Sequence, residues 1–467
     1  MKGRNIITKI NQIKTDSARQ MMHEEKTTKL LLRFALPSMF GMIAGAIYNI
    51  VDRIFVGQYV GSAGLAAITT VFPVMVLMIA FSLLVGVGGS SRIAILYGAK
   101  RRRAAEQVLS HSIMLLVLIG CTIAIIGLNF TDELLRLSGA SETLLPIAGD
   151  YMRIILIGAP FALTSFALNS LIRACGSPRY AMTSQMFGAL TNIILDAIFI
   201  VHFKMGIAGA ALGTVLAQGA ATIFGLIYFT LKNTPLRVRL HFILRPKLKI
   251  IKKIVAVGSA PFIMQIAFVL LVTIMNRKIL HYGGEIGLSA FGVFFSIDSL
   301  LFLPAFAIGD AAQPIIGYNY GAGLHERAIE TIKKSLILVT IFYLFTSTLA
   351  EIFAKQMMML FSSDPELLAL GVPGMRIGYS GLVFFGLPII TNAALQGLGK
   401  AKESLLLSTM RQGLFMFPLV IILPRFLGFW GIWATFPIGD FLGAIVAFFF
   451  LRRIIRWLKT PEALIIK

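Results

Sequence analysis

The sequence is poor in charge. Only 14% of its 467 residues are Asp, Glu, Lys or Arg, against about a quarter in a soluble domain. Hydrophobic residues make up 57% before 43 glycines are added, and mean hydropathy is +0.83. Too few ionic side chains remain to solvate a globular surface, which excludes a soluble enzyme, a coiled coil and a disordered chain. Cysteine is nearly missing: Cys121 and Cys175 cannot build a disulfide framework, and no Cys/His pattern has zinc-finger spacing. The six histidines do not cluster, so no metal centre is expected. Acid is scarce too, with 21 Asp and Glu against 43 Lys and Arg. A net charge of +22 would suit a nucleic-acid surface, but the basic residues are interleaved with apolar runs rather than gathered on one face.

Those runs are what the sequence has in abundance. A bilayer core of about 30 Å needs roughly 20 apolar helical residues. Twelve segments qualify, at about 32–56, 65–90, 106–128, 146–173, 180–203, 206–231, 254–280, 288–316, 332–354, 373–397, 404–426 and 428–451. Of the 43 Lys and Arg, 34 fall on the side that the N-terminus occupies, including the regions 92–103, 232–253 and 400–411. The positive-inside rule then puts both termini in the cytoplasm. Residues 1–29 are polar, carry no apolar signal-peptide core, and read as a cytoplasmic tail along the membrane or partly disordered. The stretch 232–253 holds eight basic residues and no acid, a topology signal with some affinity for anionic lipid headgroups.

The chain repeats itself at a shift of about 223 residues. Segment 59–67 (YVGSAGLAA) falls on 282–290 (YGGEIGLSA), Tyr97-Gly98-Ala99 on Tyr320-Gly321-Ala322, Pro37 on Pro261, and Asn169 with Gly176 on Asn392 with Gly399. Each repeat holds six spans, an even number, so the halves are parallel and related by a pseudo-two-fold axis along the membrane normal. The expected organisation is all-α: a tail (1–29), an N-lobe (30–231), a basic linker (232–253), a C-lobe (254–457) and a C-terminal tail (458–467). Two bundles facing across a cleft suit a transporter better than a fixed pore.

Five acids lie inside the spans: Asp52, Asp196, Asp298, Asp310 and Asp440. A carboxylate at that depth costs about 2.5–3.5 kcal/mol on insertion scales, so each either serves a function or is capped by protein. Counting at 1.5 Å per residue puts Asp52, Asp196 and Thr214 at about 8–12 Å below the extracellular boundary. Asn192, four residues before Asp196, shares its helical face. This oxygen-rich set could hold Na⁺ or let two carboxylates share a proton. The second half lacks it, since Asp52 falls on Asn276, Asp196 near Leu419 and Thr214 on Phe436. Asp310, beside Gln313-Pro314, reads as a helix-end or interbundle hydrogen-bonding residue. Asp298 and Asp440 either attract a cationic substrate or pair locally. Tyr48 and Asn49, one turn before Asp52, are further network or substrate candidates. Most of the 20 methionines and 36 phenylalanines are packing and lipid-facing bulk, with a subset free to line an adaptable pocket.

On these residues the chain resembles the multidrug and toxic compound extrusion (MATE) transporters over nearly its whole length. The resemblance rests on Pro37 and YNIVDRIFVG (48–57), NSLIRACGSPRYAM (169–182), NIILD (192–196), GAALGTVLAQ (209–218) and QPIIGYNYGAG (313–323). It implies antiport of amphipathic, cationic compounds against H⁺ or Na⁺ by rocking of two six-helix lobes. It gives Asp52, Asn192, Asp196 and Thr214 the coupling role, joins Asn169 to their network, and makes Pro37 the bend in span 1. Asn169 conflicts with the depth count, because it lies in the cytoplasmic half of span 4. The C-lobe acid pair that other branches use has no clear counterpart. The expected protein is thus a monomeric carrier in a bacterial plasma membrane, not an enzyme, with no cofactor beyond the coupling ion and no nucleic-acid partner. The alternative is a lipid-linked oligosaccharide flippase of the same superfamily, disfavoured by acidic intramembrane charge and by only twelve spans.

Overall fold

The computed structural model describes residues 19–231 and 234–464. The expectations for residues 1–18, for Lys232 and Asn233 at the start of the linker and for the last three residues lie outside the described residues. Nearly every described residue is helical and none is in a strand. Residues 19–24, within the expected tail, form a short helix whose Met22 is fully buried.

Among the described residues, nine helices are long and apolar enough to cross a membrane, and two bent pairs add two more. One of the nine, Leu248–Gly321, is two helices running on across a break at Gly284, where φ is 63°. Only glycine adopts that angle without strain. The total is the twelve spans read from the sequence. Spans 1–3 are Thr27–Tyr59, Ser62–Gly98 and Arg102–Asn129. Span 4 is Leu145–Ile157 and Ala159–Ala174, bent by 58°. Span 5 is Pro178–Asp196 closed by a π-helical turn Ala197–His202, and span 6 is Gly206–Tyr228. Spans 7 and 8 are 248–283 and 284–321, and span 9 is His325–Met359. Span 10 is Pro365–Tyr379 and Leu382–Gly397, bent by 47°. Span 11 runs Ala401–Thr409, a π-helical turn Met410–Met416 and Phe417–Leu427, and span 12 is Phe429–Leu458.

The breaks follow from the sequence. Gly158-Ala159-Pro160 removes an amide donor inside span 4, and Pro cannot continue the helix hydrogen-bond ladder. Spans 11 and 12 are joined by Gly428 alone, at φ 56°. Most helices outrun the apolar windows at one or both ends, because a hydropathy pattern stops at the membrane boundary and a helix need not. Large apolar side chains such as Ile125, Ile341, Phe448 and Phe449 point outward, as a lipid-facing surface requires.

The chain divides into two compact units. Among the described residues, one holds Leu36–Gly258 and those ahead of Lys26; the other holds those from Ser259 onward with Lys26–Ala35. Span 1 therefore contributes to both, and Pro37 lies inside its helix one residue past the division. In the second unit Thr27 Oγ1 donates to Glu330 Oε2 at 2.7 Å, and Glu330 Oε1 pairs with Lys334 at 2.6 Å.

The described part of the basic linker is fastened to the start of span 3. Glu106, fully buried, pairs with Arg239 of the linker and with Arg102. Ser110 Oγ accepts the Arg239 N–H at 3.0 Å. His111 Nε2 accepts the Lys247 N–H at 2.8 Å, so the ring proton sits on Nδ1, which donates to Gln107 O at 2.6 Å. Glu106 and Ser110 are four residues apart and share one helical face with their neighbour His111.

Candidate functional site: a buried carboxyl pair in the first unit

Span 5 presents Asn192 and Asp196 on one face, just before its helix loosens into the π-helical turn at Ala197. Such turns widen a helix locally and recur at functional positions. Asp196 is completely buried, and Asp52, Asn192 and Thr214 are each less than a tenth exposed. Asn192 Nδ2 donates to Asp196 Oδ1 at 3.3 Å and stands 3.5 Å from Thr214 Oγ1 of span 6. The carboxyl groups of Asp52 and Asp196 meet each other directly, within hydrogen-bonding reach. The four residues singled out from three different spans therefore converge on one point.

Three oxygens of this group have no hydrogen-bond donor: Asp52 Oδ1, Asn192 Oδ1 and Asp196 Oδ2. Buried acceptors are normally satisfied, and an orphan costs about 1–3 kcal/mol, more for a charged group. Two carboxylates in contact without a donor between them need a shared proton or a cation. The carboxyl, amide and hydroxyl oxygens also form a donor set suited to a hard cation.

Sequence reading missed three contributors. Tyr151 of span 4 is buried beside Asp52, Tyr48 and Asp196, and no spacing rule links it to them in the chain. Gly213 of span 6 leaves the room that Asp196 fills: a Cβ there would lie 2.4 Å from Asp196 Oδ1. Arg53, next in sequence to Asp52, is an exposed charge close to it.

The weaker candidates separate. Tyr48 belongs to the group as an electrostatic neighbour of both acids, while Asn49 is exposed and bonds back to Gly45 O at 2.8 Å. Asn169 donates to Ser165 O at 3.1 Å, and among the described residues no hydrogen bond or ion pair ties it to the carboxyl pair. Asp310 is half-buried in span 8, over three turns beyond Asp298. Asp298 and Asp440 belong to one group in the second unit, with Arg411 between spans 8 and 12. In the sequence Arg411 reads as one of the cytoplasmic basic residues of the 10–11 region; its side chain instead lies inside span 11 and pairs with Asp440 at 2.6 Å. A window that tolerates one charge in an apolar run cannot tell a snorkelling arginine from a buried one.

The second unit fills the position matching the first unit's polar site with rings. Phe436, the counterpart of Thr214, lies 6.2 Å from Phe291 and 5.6 Å from Phe294, and both pack on the buried Trp433 at 5.6 and 5.0 Å. Among the described residues no three His, Cys, Asp or Glu side chains gather as a metal site in either unit.

Comparison with known proteins follows this architecture. The MatE family model matches residues 37–198 and again 261–422, two copies 224 residues apart. The multidrug export protein MepA of Staphylococcus haemolyticus is 27% identical over 444 residues, covering 95% of this chain and 97% of that protein. MepA of Staphylococcus aureus is 26% identical over 430 residues, covering 92% and 94%. A crystal structure of MATE in the bent conformation superposes with a TM-score of 0.90 at 28% identity, covering 96% of this chain and 99% of the other. Two successive matches to one family model, placed where the sequence repeats itself and spanning most of the chain, settle the family: this multi-pass membrane protein belongs to MatE, the multidrug and toxic compound extrusion transporters.

Proposed function

We propose that the chain is a multidrug efflux antiporter, exporting amphipathic cationic compounds in exchange for H⁺ or Na⁺ by alternating access. It acts as a monomer in a bacterial plasma membrane with both termini in the cytoplasm, and needs no resident cofactor. The export function is supported by the names of the similar proteins, and the orientation by the excess of Lys and Arg on one side. The coupling is carried by one observation, the contact of Asp52 with Asp196 with an unsatisfied oxygen on each.

In this reading the ion arrives from outside and lies between the two carboxyls. Asn192 holds Asp196 in place through its amide, and Thr214 supplies a further oxygen. Filling the pair removes the repulsion between spans 1 and 5 and lets them approach, which reshapes the unit and displaces the bound compound. Release of the ion to the cytoplasm restores the open arrangement. Exchange follows because two ligands bias one two-state element in opposite directions, and the coupling is reciprocal.

Ethidium efflux from everted membrane vesicles, energised separately by a pH gradient and by a Na⁺ gradient, tests the reading. At least one gradient is expected to drive efflux in the unaltered chain. Asp52→Asn and Asp196→Asn are expected to abolish it with unchanged protein in the membrane. Full efflux by both variants would overturn the coupling assignment.

A further inference from the structure

The linker between spans 6 and 7 has two faces. Leu236 and Phe242 turn inward, 0% and 6% exposed, and the Arg239 and Lys247 N–H groups fix the main chain to span 3. Leu240, Leu244 and Leu248 turn the other way, 68%, 72% and 64% exposed. Among the described large apolar side chains only Leu137, Leu360 and Phe426 are more exposed than Leu244. Those three lie on the opposite side of the membrane, where spans 3, 9 and 11 end. On its own side the linker therefore carries the most outward leucines of the described chain.

The depth of this segment is set by where it is tied. Span 3 starts at Arg102, and Ser110, which takes the Arg239 N–H, lies about 12 Å further along the axis at 1.5 Å per residue. The headgroup layer accounts for about 5–8 Å on each side of a bilayer. A linker pinned to Ser110 and His111 therefore lies at the boundary between headgroups and acyl chains, where an exposed leucine has lipid within reach.

The rim around the leucines is basic. Arg101, Arg102 and Arg103 lead into span 3, Arg245, Lys247 and Lys249 flank the leucines, and all six are exposed. Glu106 ties the two groups together by pairing with both Arg102 and Arg239. It is the only acid in residues 99–110 and 234–253, and it is buried. Its one charge is thus spent, and the surface offers apolar points among uncompensated cations. Nucleic acid would satisfy the cations and leave the leucines in water. A phosphodiester headgroup with acyl chains beneath it answers both, the pairing of apolar burial and charge by which interfacial segments bind anionic bilayers.

We propose that residues 237–249 form an interfacial docking segment for anionic phospholipid. Leu240, Leu244 and Leu248 enter the acyl layer, while Arg245, Lys247 and Lys249, with the three arginines of the 2–3 turn, hold the phosphates. The segment needs only the bilayer, so it stands apart from the coupling ion and the cargo.

Hydrogen exchange of the linker amides in the full chain tests this, in nanodiscs of phosphatidylcholine alone and of an equimolar mixture with phosphatidylglycerol. The pins at Arg239 and Lys247 act in either lipid, so the difference between lipids at residues 240–245 carries the readout. Exchange there is expected to slow about tenfold with phosphatidylglycerol. Leu240→Ser/Leu244→Ser/Leu248→Ser and Arg245→Gln/Lys247→Gln/Lys249→Gln should each remove most of that difference, with the thermal midpoint in detergent unchanged. Equal exchange of the unaltered chain in the two lipids overturns the proposal, as does the full effect surviving in either variant. Polyuridylate that slows exchange as strongly in phosphatidylcholine nanodiscs would make this a nucleic-acid surface and overturn it too.

Discussion

Gly213 lies so close to Asp196 that a methyl group at 213 would stand 2.4 Å from the Asp196 Oδ1. Asp196 is fully buried and cannot swing into solvent, so the clash must be relieved by turning the carboxylate away from Asp52 or by parting spans 5 and 6. Gly213→Ala is expected to cut gradient-driven ethidium efflux at least tenfold while leaving normal amounts of protein in the membrane. Gly219→Ala, on the same span, is the matched control, since its Cβ would meet only a Phe161 ring carbon at 3.9 Å. Equal efflux in the two variants would show that the Asp196 position is not what limits transport.

Asn192 is the only side chain that bridges Asp196 and Thr214 among the described residues. A hydrogen bond to a charged group contributes about 1.5–3 kcal/mol, and the 3.3 and 3.5 Å separations favour the lower end. Asn192→Ala is therefore expected to raise the external ion concentration needed for half-maximal efflux by about tenfold, since about 1.4 kcal/mol is a factor of ten. Asn192→Asp adds a third carboxylate to a site that already holds two, and is expected to abolish efflux. A titration of efflux against external H⁺ and Na⁺ reads both.

How legible this was depended on which physical rule each residue obeys. The twelve spans, the repeat and the convergence of Asp52, Asn192, Asp196 and Thr214 followed from apolar length, self-similarity and depth at a fixed rise per residue. Tyr151 and Gly213 did not, because a ring that closes a site from span 4 and a glycine that makes room for a carboxylate leave no periodic trace. Arg411 misled for a different reason: loop charge and buried charge look alike in a hydropathy window, and only Asp440, 29 residues on, distinguishes them. Asn169 shows the converse. The family resemblance drew it toward the coupling network, the depth count drew it away, and the fold leaves it bonded to its own helix.

The Arg411–Asp440 pair also carries a stability expectation. With side chains 16% and 6% exposed, removing one partner strands a buried charge. That loss amounts to about 3–5 kcal/mol in buried pairs. Arg411→Ala and Asp440→Ala are each expected to lower the thermal unfolding midpoint in detergent by several degrees. Arg411→Gln/Asp440→Asn, which keeps shape and hydrogen-bonding groups without charge, should recover most of the loss. Additive effects of the two single changes would mean that the residues act separately.

The last expectation concerns the basic linker, whose Arg237, Arg239, Lys247 and Lys249 are exposed trypsin targets. Its backbone is pinned at two points, Arg239 N–H on Ser110 and Lys247 N–H on His111, with the buried Glu106 neutralising Arg239 between them. Proteolysis of a segment held this way requires local opening, so the rate follows the free energy of release. Glu106→Gln leaves a buried hydrogen-bonding group but removes its charge, and His111→Phe keeps the ring but removes the acceptor for Lys247. Each is expected to speed tryptic cleavage between residues 237 and 249 several-fold at constant global stability, with the double variant faster than either. Cleavage at the wild-type rate in the double variant would mean that the linker is held elsewhere.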